Sequence, residues 1–269
     1  MLLLRMAALL LLLPLYMEAQ PRRPATAATP LVVGQTFTIE SAALGETRRL
    51  NVYLPPAYLD SAKLRLPVLY MPDGGLAEDF LHVAGLVQVL VGNGTMRPFI
   101  LVGIENTQRR RDLTGPTSNA DDRKIAPRVG GSAAFREFIR RELMPLVRQR
   151  YRTTAETAIV GESLAGLFVV ETLLLAPDMF NTYVAFDPSL WWNNGQLARE
   201  AATQLKAPGR PAVSVFLATS SQGDTAATRR LVQAAGPRAG HWRYVPMPHE
   251  THATIYHPAA LQAFREVFR

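Results

Sequence analysis

Thr157-Ala158-Ile159-Val160-Gly161-Glu162-Ser163-Leu164-Ala165-Gly166 is the stretch on which the reading of this sequence turns. A short apolar run enters a corner rich in small residues, and the apolar residues 167–175 leave it with helical character. That is a strand, a tight turn and a helix. A serine at such a corner is held in a strained conformation, so the residues two before and two after it must be small to pass one another. Gly161 and Ala165 meet that requirement. At the start of a helix the hydroxyl is exposed, and the backbone N–H of Leu164 points where an oxyanion would develop. Ser163 is therefore the candidate nucleophile, and an ordinary helix N-cap serine is the alternative.

Working outward, residues 67–71, 98–104, 182–186, 212–218 and 242–246 are further short apolar runs, as expected of strands buried on both faces. Helical spacing fills the gaps between them: in residues 79–91, in Phe135, Phe138, Ile139, Leu143, Leu146 and Val147, and in Leu261, Phe264 and Val267 after Pro258. The alternation predicts an α/β fold, with a mostly parallel central sheet and helices on both faces. Residues 35–41 and 48–54, separated by a turn at Gly45, add antiparallel edge strands at the N-terminal side. Function in such sheets gathers at the carboxyl ends of the strands. Residues 106–131 lack periodicity, and so long a loop in a compact domain is usually functional or mobile.

The 269 residues are 48% apolar, which suits one globular domain and argues against disorder. Lys+Arg of 29 against Asp+Glu of 22 gives a net charge of +7, but the basic residues are spread along the chain and form no stripe of the kind that binds nucleic acid. Without cysteine, thiol catalysis, zinc–thiolate sites and disulfides are excluded. Arg5, the apolar run 6–16 and Ala19 read as an export signal over residues 1–19, with an uncleaved anchor as the alternative. Residues 20–34 then form a flexible leader, and residues 35–269 the domain. The expected location is periplasmic or secreted, with no stable membrane partner beyond export.

Serine needs a base within hydrogen-bond reach. His82 falls in a helical stretch and reads as structural, and His241 opens the last strand, whereas His249, His252 and His257 cluster beyond that strand's end. His252 sits mid-loop and is the favoured base, with His249 second; His257 abuts the following helix. A zincin-like metal site is excluded by spacing, because His249 and His252 are three apart in a loop with no third ligand in view. For the acid, Asp224 stands in the turn after the strand 212–218 and is favoured. Asp187, after the strand 182–186, competes with it, and a two-residue Ser/His arrangement remains open. The glycines of Pro72-Asp73-Gly74-Gly75 suggest Gly74 or Gly75 N–H as the second oxyanion donor. Trp191 and Trp192 stand as a candidate substrate wall, with core packing as the alternative. Residues 108–112 form a basic run that reads more readily as a solvated face than as an anion site.

Together with residues 66–74, 102–107, 111–114, 187–192 and 250–253, taken in that order, the elbow resembles the putative esterase family of α/β-hydrolases, over about residues 37–268. That family includes esterase D, trilactone siderophore esterases and mycolyltransferases. Residues 188–192 are most similar to the branch containing siderophore esterases. The resemblance implies an ester hydrolase with Ser163 as nucleophile and His252 as base, needing no metal or other cofactor and acting on a small-molecule ester. One departure is Glu162, where family members often carry histidine. Acyl transfer to a sugar or lipid alcohol, and a non-catalytic ligand-binding domain on the same fold, are the alternatives.

Overall fold

Side-chain alternation along the strands sets the layers of the protein. Val68 and Tyr70 pack on one side of the sheet with Phe168 and Leu173, while Leu69 and Met71 pack on the other with Val83 and Phe264. Tyr183 and Ala185 divide from Val184 and Phe186 in the same way, as do Val215 and Leu217 from Phe216 and Ala218. A strand covered on both faces keeps no polar side, which is why these segments are unbroken apolar runs in the sequence.

The computed structural model describes residues 28–236 and 241–269. The expected signal at 1–19 and the first part of the leader lie outside the described residues, and residues 33–269 form one compact unit. Its strands are β1 (Gln35–Ser41), β2 (Glu46–Tyr53), β3 (Leu66–Pro72), β4 (Ile100–Ile104), β5 (Thr153–Glu162), β6 (Thr182–Phe186), β7 (Ser214–Ser220) and β8 (Trp242–Met247). The helices are α1 (Pro56–Leu59), α2 (Phe80–Gly92), α3 (Arg109–Asp112), α4 (Ser132–Phe138), α5 (Met144–Arg150), α6 (Leu164–Leu175), α7 (Trp192–Lys206), α8 (Thr225–Ala235) and α9 (Tyr256–Val267). A π-helical turn, Ile139–Leu143, joins α4 to α5.

The sheet runs β1-β2-β4-β3-β5-β6-β7-β8. The β1–β2 and β2–β4 pairs are antiparallel and the remainder parallel, so the expected α/β-hydrolase architecture with its antiparallel edge is what forms. Helices α2 and α9 cover one face, and α4 to α8 the other. Register aligns the carboxyl ends: Glu162 pairs with Phe186, Phe186 with Ala218, and Ser220 with Met247. Every loop that leaves these ends therefore emerges along one edge. Among the described residues no helix is long and apolar enough to cross a membrane.

The long 106–131 segment is tethered rather than loose. The guanidinium of Arg48, fully buried, donates to Asp112 Oδ2, Glu46 Oε1, Thr107 Oγ1 and the Glu105 carbonyl. Arg111 donates to Glu46 and Asp112, so two of the basic residues around this loop are engaged in internal ion pairs. A buried guanidinium needs its charge and donors met; here the terminal nitrogens are, while Nε has no partner among the described residues.

Candidate active site

Ser163 leaves β5 at φ 61°, ψ −120° and is followed at once by α6. Non-glycine residues adopt positive φ only at a cost, so the corner must be held from outside. Two hydrogen bonds hold it: Ser163 N–H donates to Phe186 O at 3.0 Å, and Ser189 N–H donates to Ser163 O at 3.0 Å. A Cβ on Gly161 would lie 2.8 Å from the Ala165 Cβ, which is why both flanking positions are small. Leu164 opens α6, and its N–H belongs to the first turn, where no intrahelical acceptor exists.

His252 comes from the β8–α9 loop, and its Nε2 is 3.0 Å from Ser163 Oγ. The loop is fastened to the neighbouring β7–α8 turn by Ser221 N–H and Oγ–H, which both donate to Glu250 O, and by His252 N–H, which donates to Gln222 Oε1. The acid is where the structure departs from expectation. Asp187 Oδ2 lies 3.1 Å from His252 Nδ1, while Asp224 is the N-cap of α8 and accepts from Ala227 N–H at 2.9 Å. Asp187 turns inward because its backbone is at φ 38°, and its fully buried carboxylate also accepts from Ser220 N–H and Ser220 Oγ–H. Gly223 makes room for it: a Cβ there would sit 2.2 Å from Asp187 Oδ1. A carboxylate can only accept, so Nδ1 carries its proton toward Asp187 and Nε2 presents its lone pair to Ser163.

The glycine pair after β3 is placed differently from expectation. Gly74 N–H donates to Ile104 O at 2.9 Å, and Gly75 N–H to Glu78 Oε2 at 2.6 Å, so neither is presented free to Ser163. Gly74 is drawn against β4 so closely that a Cβ on it would lie 2.3 Å from Gly103 Cα. The two tryptophans also part company. Trp191 is 48% exposed, whereas Trp192 is buried, donates its indole N–H to Gly115 O at 2.9 Å, and lines a cavity of about 240 Å³ with Gly115, Leu167 and Leu197. Trp192 thus fastens the 106–131 loop through Gly115, while Trp191 presents its ring at the surface. His249 is exposed, and His257 pairs with His82 across α2 and α9 at 2.9 Å.

Carboxylates crowd this edge of the sheet. Arg109 binds Asp73 through two hydrogen bonds of 2.7 and 2.8 Å, and Asn106 Nδ2 donates to both Asp73 and Glu78. Burial, reinforced by the charge of Asp73, pushes the Asp79 carboxyl up to about 6. Burial likewise pushes Glu162 up to about 7 against the pull of His252, with the charges of Asp79 and Asp187 adding to the rise. Sequence reasoning missed this second carboxylate beside His252, although its place next to Ser163 was a signal.

Comparison with known proteins follows the same lines. The family described as "Putative esterase" matches residues 41–253. The ferri-bacillibactin esterase BesA of Bacillus subtilis is 30% identical over 168 residues, covering 55% of this chain and 56% of that protein. The siderophore triacetylfusarinine C esterase of Aspergillus fumigatus is 30% identical over 185 residues, covering 64% and 61% respectively. The chain therefore spans less than two thirds of the length of either curated relative. Among solved structures, an IroE-like serine hydrolase from Shewanella oneidensis is similar with a TM-score of 0.72 at 28% identity, over 87% of this chain and 80% of that one. The siderophore hydrolase EstB from Aspergillus nidulans has a TM-score of 0.74 at 21% identity, over 89% and 96%, a likeness that bears on the fold alone.

Proposed function

The chain belongs to the putative esterase family, and from that premise we propose that it is an exported serine carboxylic-ester hydrolase acting on siderophore-like esters. The observation that carries this reading is the chain of contacts from Ser163 Oγ to His252 Nε2 at 3.0 Å and from His252 Nδ1 to Asp187 at 3.1 Å. In this mechanism Ser163 Oγ attacks the ester carbonyl carbon as its proton passes to His252 Nε2. The imidazolium returns that proton to the departing alcohol, leaving an acyl-enzyme. Water then repeats the sequence, giving up a proton to Nε2 and releasing the acid, while Ser163 recovers its hydrogen. Asp187 holds the tautomer and offsets the imidazolium charge. Leu164 N–H receives the oxyanion, and Gly75 N–H joins it once the Glu78 carboxylate moves off.

The substrate class is supported by what the relatives are named for, esters of ferri-bacillibactin and of triacetylfusarinine C. Export is supported by the apolar run 6–16 behind Arg5, which makes residues 1–19 the signal and 20–34 the leader. The test is direct. Wild-type protein should hydrolyse p-nitrophenyl acetate and a trilactone siderophore, and react covalently with a fluorophosphonate. Ser163→Ala should lose the label and at least about 10⁴-fold in kcat. Turnover that persisted in Ser163→Ala would refute the assignment, and acyl product on an added alcohol in place of free acid would make the enzyme a transferase.

A further inference from the structure

The residue before the nucleophile is a half-buried acid. Glu162 ends β5, its side chain is 17% exposed, and its Oε1 lies 3.9 Å from His252 Nδ1. Asp187 approaches the same nitrogen at 3.1 Å, so two carboxylates converge on one edge of one imidazole. They are unequally provided for. Asp187 accepts two hydrogen bonds from Ser220, whereas among the described residues none is donated to Glu162. A half-buried carboxylate gains from each cation near it, and Arg109 already faces Glu162. Catalysis adds another at His252 at the moment Nε2 takes the Ser163 proton.

We propose that Glu162 is a positioning residue for the His252 imidazolium, setting a second negative charge against Nδ1 as the tetrahedral intermediate forms. The inference rests on the reading of Ser163 as nucleophile and His252 as base. The groups that face Glu162 come from every element around it: Asp79 at the start of α2, Arg109 from α3, Asp187 after β6, and His252 itself. The Tyr256 phenol of α9 is near as well, buried and without a hydrogen-bond partner among the described residues. Burial in this company, with the charges of Asp79 and Asp187 adding to it, raises the Glu162 carboxyl to about 7. Below that range it carries a proton and offers Nδ1 no charge. At higher pH it is an anion facing the base. The acid limb of the rate profile therefore carries the charge state of Glu162.

The experiment is a set of kcat and kcat/KM profiles between about pH 5 and 9 on p-nitrophenyl acetate. Glu162→Gln should lower the plateau kcat about tenfold while KM stays within about twofold. Its acid limb should move to lower pH, because an ionisation near 7 no longer contributes to it. Glu162→Asp, which keeps the charge at shorter reach, should recover part of kcat and leave the limb near its wild-type position. Superimposable wild-type and Glu162→Gln profiles would overturn the proposal, and so would a uniform loss of rate with no movement of the limb. Should Glu162→Gln fail to fold, Glu162→Ala carries the test, and wild-type kcat with an unmoved limb in it would overturn the proposal. Ser163→Ala measured alongside separates the two readings: turnover in that variant sinks the nucleophile assignment, while an inactive Ser163→Ala beside an unshifted Glu162→Gln sinks only the role of Glu162.

Discussion

Replacing Asp187 by asparagine tests the hydrogen-bonded arrangement at its least replaceable point. Oδ1 accepts from Ser220 N–H at 2.6 Å, and a backbone donor cannot be turned away. The asparagine carbonyl must therefore stay on Ser220, which puts its NH₂ where Oδ2 now meets His252 Nδ1. A donor facing Nδ1 selects the tautomer protonated on Nε2, and that nitrogen then has no lone pair for the Ser163 proton. Rates should fall about 10³- to 10⁴-fold in kcat, roughly 4 to 5.5 kcal/mol of transition-state stabilisation. The fold should persist, since Ser220 Oγ can accept from the new NH₂. Asp224→Ala is the matched control. It removes an N-cap, costs about 1 kcal/mol, and should lower Tm by about 2–4 °C for a domain of this size with kcat unchanged. Initial rates on p-nitrophenyl acetate and calorimetric Tm measured on both variants give a cross: one moves kcat alone, the other Tm alone. The reasoning fails if Asp187→Asn stays within about tenfold of wild type, or if Asp224→Ala is the slow one.

Gly223→Ala should act through the same carboxylate. The added Cβ falls 2.2 Å from Asp187 Oδ1 and must displace it, so kcat should drop about 10- to 100-fold with KM little changed; a kcat close to wild type would show that the turn yields instead. The Arg111 hydrogen bond holds Glu46 down to about 2 from 4.5. A depressed folded-state carboxyl contributes stability that is complete above the unfolded value and lost as pH falls through the folded one. Tm should therefore decline between about pH 4.5 and 2 more steeply in wild type than in Glu46→Gln, and parallel curves would remove Glu46 from the account.

What the sequence disclosed, and what it withheld, divides along physical lines. Strands covered on two faces leave unbroken apolar runs, so residues 67–71 and 182–186 read correctly, and the small residues around Ser163 follow from sterics within the turn itself. Chain order carries His249, His252 and His257 alike to the carboxyl edge of the sheet; the mid-loop position favours His252, and its Nε2 lies 3.0 Å from Ser163 Oγ. The acid could not be chosen in this way. Asp187 and Asp224 both follow parallel strands at that edge, and the choice depends on the φ of 38° at Asp187 and on the space left by Gly223, neither of which is local to a carboxylate in the sequence. Asp224 ahead of the helical residues 225–235 did carry an N-cap signal. Glycines 74 and 75 read in the sequence as oxyanion donors, whereas Gly74 closes against β4, and which partner takes each N–H depends on Ile104 and Glu78 in three dimensions. Trp192 likewise looked available until Gly115, 77 positions away, was seen to claim its indole.

The contact of Gly74 with β4 limits how this scaffold can diversify. Each glycine of the crossing excludes a side chain on the other, since a Cβ on Gly103 would come 2.6 Å from Gly74 O. Neither position has a single-step neighbour in sequence space that keeps the backbones where they are. Libraries randomised at either site should return glycine almost exclusively, and selection for new esters would have to work through the surrounding loops, with this crossing inherited unaltered.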